Sequence, residues 1–203
     1  MSRPSKIVCV GRNYRAHAEE LGNEVPASPL IFLKPPSAII AAGESIVLHA
    51  GYGRIDYEGE IGVVIGERLS KADAASAAAA VRGIVAVNDV SARDLQKSEP
   101  QWVRAKGSDT FCPMGPERRG KVDLTDLTLI TRVNGEERQR GHTREMTFPI
   151  AELLAWISQA VTLEPGDVVA TGTPHGVAPL VPGDEIEVEV VGWSRVKNPV
   201  VAA

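Results

Sequence analysis

Frequent glycine and proline residues divide this chain into short runs of β-branched amino acids. The 203 residues include 19 glycines and 14 prolines. Short runs rich in Val and Ile that are bounded by turn-forming residues are typical of strands. This pattern predicts strands at Lys6–Val10, Leu30–Leu33, Ile61–Ile65, Ile84–Asn88, Leu127–Val133, Asp167–Ala170 and Glu185–Val191. The dipeptide Asn134-Gly135 predicts a tight hairpin turn, because both turn positions favour a positive φ.

Helices are predicted for a smaller part of the chain, at Asn13–Leu21, Lys71–Val81 and Ile150–Val161. Ser70 is the expected N-cap of the second helix, and Gly83 follows it as a natural stop. We therefore expect one domain over residues 1–203, of the α+β class and mainly β.

Composition narrows the classes of function. The net charge is −4 and the basic residues form no broad field, which argues against a nucleic-acid or membrane-surface partner. Cys9 and Cys112 are too few for a disulfide framework, and we expect two buried thiols. The N-terminus lacks the apolar stretch of a signal peptide, and no run has the ~18 apolar residues of a membrane helix. We therefore expect a cytoplasmic protein.

Two glutamates, Glu58 and Glu60, stand two residues apart at the start of a predicted strand. Residues at this spacing point to the same face of a strand. Their carboxylates repel each other unless a cation lies between them. A hard divalent ion such as Mg²⁺ or Mn²⁺ would remove this conflict. The alternative is a solvated edge strand with two surface glutamates, which the local spacing alone favours.

A third carboxylate, Asp89, ends the apolar run that begins at Val85. Polar residues at strand ends are where functional sites are usually built. Together with the two glutamates, Asp89 would complete a site with three carboxylate ligands. The alternative is that Asp89 only caps the turn that follows.

Two further segments carry groups suited to catalysis or binding. His17 and Glu20 face each other at i, i+3 on the first predicted helix. A carboxylate bonded to one ring nitrogen fixes the imidazole tautomer and raises its basicity, as deprotonation of water requires. The turn Thr171-Gly172-Thr173-Pro174 offers backbone N–H groups and hydroxyls to an anion. A solvated helix and a plain tight turn are the respective alternatives.

Taken in order, these segments resemble the fumarylacetoacetate hydrolase family. The resemblance is closest to its short acylpyruvate hydrolase and oxaloacetate decarboxylase branch and to its homoprotocatechuate-pathway isomerase/decarboxylase branch. It spans about Ile7 to Val191 and is carried by Val10-Gly11-Arg12-Asn13-Tyr14 with His17 and Glu20, Leu30-Ile31-Phe32-Leu33-Lys34-Pro35, Glu58-Gly59-Glu60-Ile61-Gly62, Asn88-Asp89-Val90-Ser91-Ala92-Arg93-Asp94-Leu95-Gln96, Arg104-Ala105-Lys106, Pro165-Gly166-Asp167 and Thr171-Gly172-Thr173-Pro174.

The resemblance implies a fumarylacetoacetate hydrolase-like mixed β-sheet roll or barrel with a few helices, usually a homodimer. By position, it assigns Glu58, Glu60 and Asp89 as ligands of Mg²⁺ or Mn²⁺. It assigns the other groups to catalysis or to the substrate: the water-activating pair His17 and Glu20 on a lid helix, Lys106 as an added positive charge, and Arg93, Gln96, Lys106 and Thr173 as substrate-binding residues. The chain begins almost at the first motif, so we expect no counterpart to the additional N-terminal metal carboxylate of some longer relatives.

The function that the resemblance implies is chemistry on a small 2-oxo acid through its enolate. Our first hypothesis is carbon–carbon hydrolysis of an acylpyruvate, because both members of the water-activating pair are present. The enzymatic alternatives are an oxaloacetate decarboxylase, or a 2-hydroxyhepta-2,4-diene-1,7-dioate isomerase and 5-carboxymethyl-2-oxo-hex-3-ene-1,7-dioate decarboxylase of aromatic catabolism. The non-enzyme alternative is a module that binds oxo acids without turnover.

Overall fold

The computed structural model of the protein describes residues 3–20, 22 and 24–203, which form a strand-rich α+β fold. The strands in this part of the chain are β1 (Ile7–Gly11), β2 (Leu30–Lys34), β3 (Ile39–Ile40), β4 (Ile46–Leu48), β5 (Ile55–Asp56), β6 (Gly59–Ile65), β7 (Val81–Asn88), β8 (Ser91–Ala92), β9 (Cys112–Pro113), β10 (Arg118–Arg119), β11 (Thr128–Val133), β12 (Glu136–His142), β13 (Val168–Ala170), β14 (Glu185–Val190) and β15 (Ser194–Ala202). The α-helices are α1 (Arg15–Glu20), α2 (Ala74–Ala79), α3 (Arg93–Ser98), α4 (Val103–Gly107) and α5 (Ile150–Ala160), and short 3₁₀ turns lie at Pro36–Ala38 and Thr143–Glu145.

Two sheets form the body of the fold. One has six strands in the order β10-β7-β6-β13-β1-β2, and the other has five in the order β12-β11-β14-β15-β4. Strand β13 runs parallel to β1 and antiparallel to β6, so the first sheet is mixed. The sheets pack face to face, with β14 and β15 against β7 and β11 against β6. This arrangement confirms the predicted mixed, mainly β fold.

The main core lies between the two sheets and under the helices α2 and α5, which pack on each other. β-branched side chains such as Val63 and Ile84 supply its sheet face. Helix α5 contributes Leu153, Leu154 and Ile157, whose spacing places them on one face. Burial of these apolar surfaces fixes the strand registers, since a slip by one residue would move the apolar side chains of a strand from the core to the solvent face.

The predicted strands are confirmed, with ends that shift by at most three residues; the largest shift is at β7, which begins at Val81 rather than Ile84. The predicted helix Lys71–Val81 is wrong at both ends, because α2 covers only Ala74–Ala79. Lys71 has a left-handed φ of 54°, and Asp73, rather than Ser70, caps the helix by accepting a hydrogen bond from Ser76 N at 2.7 Å. The predicted helix Asn13–Leu21 is observed at Arg15–Glu20, and Leu21 lies outside the described residues.

Two other expectations about the chain are confirmed. Asn134 and Gly135 have φ values of 53° and 82° and connect β11 directly to β12 as a two-residue hairpin. Cys9 and Cys112 are free thiols buried in the core. Across the described residues, no helix combines the length and the apolar content that crossing a membrane requires.

Candidate active site

Two neighbouring strands place the three predicted carboxylates together. The antiparallel pairing of β6 with β7 sets Gly59 opposite Asn88, so the start of one strand lies beside the end of the other. Glu58 and Glu60 flank Gly59, and Asp89 follows Asn88. One oxygen from each of the three carboxylates lies within 4.8 Å of the others, and all three side chains are buried. The structure therefore brings together the three predicted metal ligands.

The backbone at this sheet edge is held tightly. Asp89 N donates to Glu58 O at 2.8 Å, and Glu58 N donates to Asn88 Oδ1 at 3.0 Å. Gly59 lies against the second sheet, because a Cβ added there would be 1.9 Å from Thr131 Oγ1. The glycine between the two glutamates is thus required for the sheets to approach each other at the site.

Two cationic side chains reach the carboxylates from helices α3 and α4. Lys106 Nζ donates to Glu58 Oε2 at 2.6 Å and to Asp89 Oδ2 at 2.7 Å. Arg93 Nη2 lies 2.6 Å from Glu58 Oε1. Burial alone would raise the pKa of Glu58, but the charges of Arg93 and Lys106 hold this pKa well below its usual value. Glu58 is therefore ionised at neutral pH.

Glu60 has a different environment. In the part of the chain that the structure describes, its carboxylate accepts one hydrogen bond, from Gly172 N at 2.9 Å, and forms no ion pair. Burial and the negative charges of Asp89 and Glu58 raise the pKa of Glu60 well above its usual value. A cluster of three carboxylates with one unpaired member fits a hard divalent cation, which prefers oxygen ligands.

The predicted dyad lies beside this cluster. His17 Nδ1 is 3.4 Å from Glu20 Oε2, and His17 Nε2 is 3.8 Å from Glu58 Oε1. The other Glu20 oxygen accepts a hydrogen bond from Gly176 N at 3.0 Å. Burial lowers the pKa of His17, against the opposing effect of Glu58, and so favours the neutral imidazole that a general base requires.

A cavity of about 340 Å³ opens onto the cluster. Its walls include every predicted site residue except Glu20, which lies behind His17: Glu58, Glu60, Asp89, His17, Arg93, Gln96, Lys106 and Thr173. Gln96 also accepts a hydrogen bond from Arg93 Nη1 at 3.0 Å. The groups proposed for metal, proton transfer and substrate thus share one cavity.

Sequence reasoning assigned no role to Lys34 or Asp56, which support this site. Lys34 is buried, and its Nζ lies 2.6 Å from Asp89 Oδ1. The same Nζ donates to Phe111 O at 2.7 Å and to Lys106 O. Asp56 is fully buried and accepts from Arg93 Nε at 2.8 Å. Asp56 alternates with Glu58 and Glu60 along the chain, a signal that could have identified it.

Gln139 on β12 was also missed, and it contacts both Gly59, which lies between the two glutamates, and the turn that contains Thr173. Its Oε1 accepts from Gly59 N at 3.0 Å, and its Nε2 donates to Thr173 Oγ1 at 2.8 Å. It stands in a run of charged residues, Glu136-Glu137-Arg138-Gln139-Arg140, which carries no signal of a buried residue.

Comparisons with known proteins show what the chain as a whole is similar to. The model of the family described as fumarylacetoacetate (FAA) hydrolase C-terminal matches residues 6–201. The chain is 44% identical over 196 residues to an uncharacterized protein of Methanocaldococcus jannaschii, covering 97% of this chain and 83% of that protein. It is 42% identical to the mitochondrial oxaloacetate tautomerase FAHD2A of Bos taurus, covering 99% of this chain and 68% of the relative. The crystal structure of a 5-carboxymethyl-2-hydroxymuconate delta-isomerase from Mycobacterium smegmatis superimposes with a TM-score of 0.91 at 46% identity, covering 99% of this chain and 80% of that one.

Proposed function

Because this chain belongs to the fumarylacetoacetate hydrolase family, we propose that it is an enzyme that interconverts the enol and keto forms of a small 2-oxo diacid. The observation that carries the proposal is the buried His17, paired with Glu20, in the same cavity as three clustered carboxylates and Lys106. This places a proton-transfer group beside a centre that would hold positive charge. Enolisation next to a 2-oxo group requires both.

The metal ligands of this proposal are Glu58, Glu60 and Asp89, with Mg²⁺ or Mn²⁺ as the cation. When bound, the cation supplies electrostatic stabilisation of the negative charge that develops on the 2-oxo oxygen. The chain's own residues supply the rest. Lys106 and Arg93 add positive charge at the cavity wall, and Thr173 offers a hydroxyl to the substrate carboxylate.

In this proposal, His17 transfers the proton. Its imidazole would take the proton from the carbon next to the 2-oxo group and return it to another position of the enolate. Glu20, which faces Nδ1, would accept a hydrogen bond from a protonated Nδ1 and so leave Nε2 free as the base. The buried position of His17 keeps bulk water from competing for the proton.

The comparisons support isomerisation over our first hypothesis, because two relatives above 40% identity carry tautomerase and isomerase names. Carbon–carbon hydrolysis of an acylpyruvate remains the second candidate, and the His17–Glu20 pair favours it because that pair could also activate water. Decarboxylation of oxaloacetate would use the same enolate without water. A homodimer, which the family resemblance implies, stays a prediction that light scattering would test.

A substrate panel distinguishes these reactions. The purified protein is assayed with enol-oxaloacetate, an unsaturated 2-hydroxy diacid and acetylpyruvate, each with Mg²⁺ or Mn²⁺ and with EDTA. The proposal predicts metal-dependent loss of enol absorbance without release of pyruvate. Release of pyruvate and acetate from acetylpyruvate would establish the hydrolase instead. Metal and ligand binding with no turnover on any compound would contradict an enzymatic function.

The variant Glu20→Gln tests the dyad. Its carboxamide cannot stabilise the imidazolium that forms during proton transfer, so kcat for isomerisation should fall about tenfold to a hundredfold. Glu19→Gln is the matched control, because Glu19 is an exposed neighbour on the same helix. Equal kcat values for the two variants would contradict the role of Glu20.

A further inference from the structure

The side-chain amide of Gln139 connects parts of the site that belong to different elements. Gln139 lies on β12 of the second sheet and is 1% exposed. Its Oε1 accepts a hydrogen bond from Gly59 N, between the two glutamates, at 3.0 Å. Its Nε2 donates to Thr173 Oγ1 at 2.8 Å and to Pro174 O at 2.9 Å. One side chain therefore joins β6, which carries Glu60, to the turn that contains Thr173.

Both ends of this amide have an unambiguous orientation. The backbone N–H of Gly59 can only donate, so it must face the amide oxygen of Gln139. The carbonyl of Pro174 can only accept, so it must face the amide nitrogen. The nitrogen carries two hydrogens, and the second points to Thr173 Oγ1. The Thr173 hydroxyl is therefore an acceptor in this contact.

This contact limits the directions in which the hydroxyl hydrogen of Thr173 can point. A hydroxyl has one hydrogen and two lone pairs, and Gln139 occupies a lone pair. Among the described residues, no group accepts a hydrogen bond from Thr173 Oγ1, and the Thr173 side chain lines the cavity. The hydrogen is thus free to point at an anion in the cavity.

We propose that Gln139 is a positioning residue that holds Thr173 as a hydrogen-bond donor to the carboxylate of the substrate. The inference rests on the proposed function, since it concerns the same 2-oxo acid site. Gln139 does not line the cavity, so it acts through the threonine. Without the amide, the Thr173 hydroxyl would rotate freely, and its lone pairs, which repel a carboxylate, would no longer be kept away from the cavity.

The test measures binding of oxalate, an unreactive mimic of the 2-oxo acid group, by calorimetry in the presence of Mg²⁺. Thr173→Val should weaken oxalate binding about tenfold to a hundredfold, the loss of one hydrogen bond to a charged acceptor. Gln139→Met should weaken it by a similar factor while Thr173 is unchanged. In the double variant, Gln139→Met should add less than about a twofold effect to Thr173→Val.

Gln139→Glu, measured at pH 8, is the second variant in case Gln139→Met does not fold, because an ionised carboxylate also attracts the Thr173 hydrogen away from the cavity. Gln159→Glu, on the exposed face of α5, controls for the added charge. Unchanged oxalate binding in the Gln139 variants, or the same loss in the Thr173→Val background, would overturn the inference. Oxalate binding without turnover of any panel compound would contradict only the proposed function. A wild-type protein that does not bind oxalate would overturn both.

Discussion

The parallel strands β1 and β13 have a buried carboxylate group at each end, and the two ends differ in how the charge is satisfied. At the end where both strands begin, Asp167 accepts hydrogen bonds from Ser5 Oγ at 2.6 Å, Ser5 N at 3.1 Å and Glu164 N at 2.8 Å, and it pairs with Lys6. At the end where both strands finish, Glu60 has one N–H partner, from Gly172, in the part of the chain that the structure describes.

This difference separates a carboxylate that stabilises the fold from one that is available for a ligand. A buried ion with a full set of donors contributes to stability, whereas one beside like charges costs free energy until a counter-ion binds. Asp167 therefore holds the N-terminal segment against the sheet, and the cluster around Glu60 could bind a cation.

The largest expected effect is that of Glu60→Gln on catalysis. Loss of one metal carboxylate should lower kcat/KM at least about a hundredfold with the best substrate of the panel. In EDTA, the same variant should unfold at no lower denaturant concentration than the wild type, because like-charge repulsion is relieved. Steady-state assays and urea denaturation check the two halves. Glu67→Gln, an exposed residue just after β6, is the control, and equal activity of both variants would contradict the metal assignment.

Metal binding should stabilise the protein only through the cluster. At a free Mn²⁺ concentration about 100-fold above Kd, the free energy of unfolding should rise by about 2.7 kcal/mol relative to EDTA. Asp167→Asn should retain this gain, and Glu60→Gln should lose it. Denaturation curves of the three proteins with and without metal provide the measurement. A full gain in Glu60→Gln would place the cation elsewhere.

The opposite pattern is expected for Asp167→Asn. Removing the charge weakens the hydrogen bonds from Ser5, Lys6 and Glu164, and should lower the free energy of unfolding by about 2 kcal/mol. The kcat at a temperature below unfolding should stay the same, since Asp167 is remote from the cavity. Asp109→Asn, an exposed aspartate, is the matched control for urea denaturation. A loss of kcat in Asp167→Asn would show that the two ends of the strands are coupled.

The smallest expected effect is the pH dependence of the stabilisation that Asp167 provides. Burial alone would raise the pKa of Asp167, but hydrogen bonds from Lys6, Ser5 and Glu164 hold it below its usual value. Because the folded-state pKa is depressed, the stabilisation is complete above about pH 4 and is lost as the pH falls through the folded-state pKa. The stability difference between wild type and Asp167→Asn should therefore shrink below about pH 4. A constant difference from pH 3 to 7 would contradict this assignment.

The carboxylate cluster illustrates how much of the site the sequence could predict. The alternation of Glu58 and Glu60 and the strand end at Asp89 indicated three candidate ligands, but the family resemblance was needed to favour one shared site, because nothing in local spacing pairs β6 with β7. Helices α3 and α4 have six and five residues, too short for a periodic signal. Arg93 and Lys106 could be predicted as site residues, although the elements that carry them were not.

Strand β15 was missed for a different reason. Its segment contains Pro199, and a proline within a run is unfavourable for a strand because it cannot donate to a ladder. The structure places Pro199 where β15 changes partner, since pairing with β14 ends there and pairing with β4 begins at Val200. Gln139 was missed because its burial comes from the approach of the first sheet, where Gly59 donates to its side chain, and no local sequence pattern reports this approach.

The place of β13 in the first sheet has a consequence for the order of folding. This strand lies between β6 and β1, although it follows them by about 100 and 160 residues in the chain. During synthesis, the pairs β1–β2 and β6–β7 can form early, but they cannot join into one sheet until β13 has left the ribosome. The closure of such long-range pairs makes folding slow. His17, which follows β1, and Glu60, on β6, are therefore brought to the same cavity only after β13 has joined the sheet.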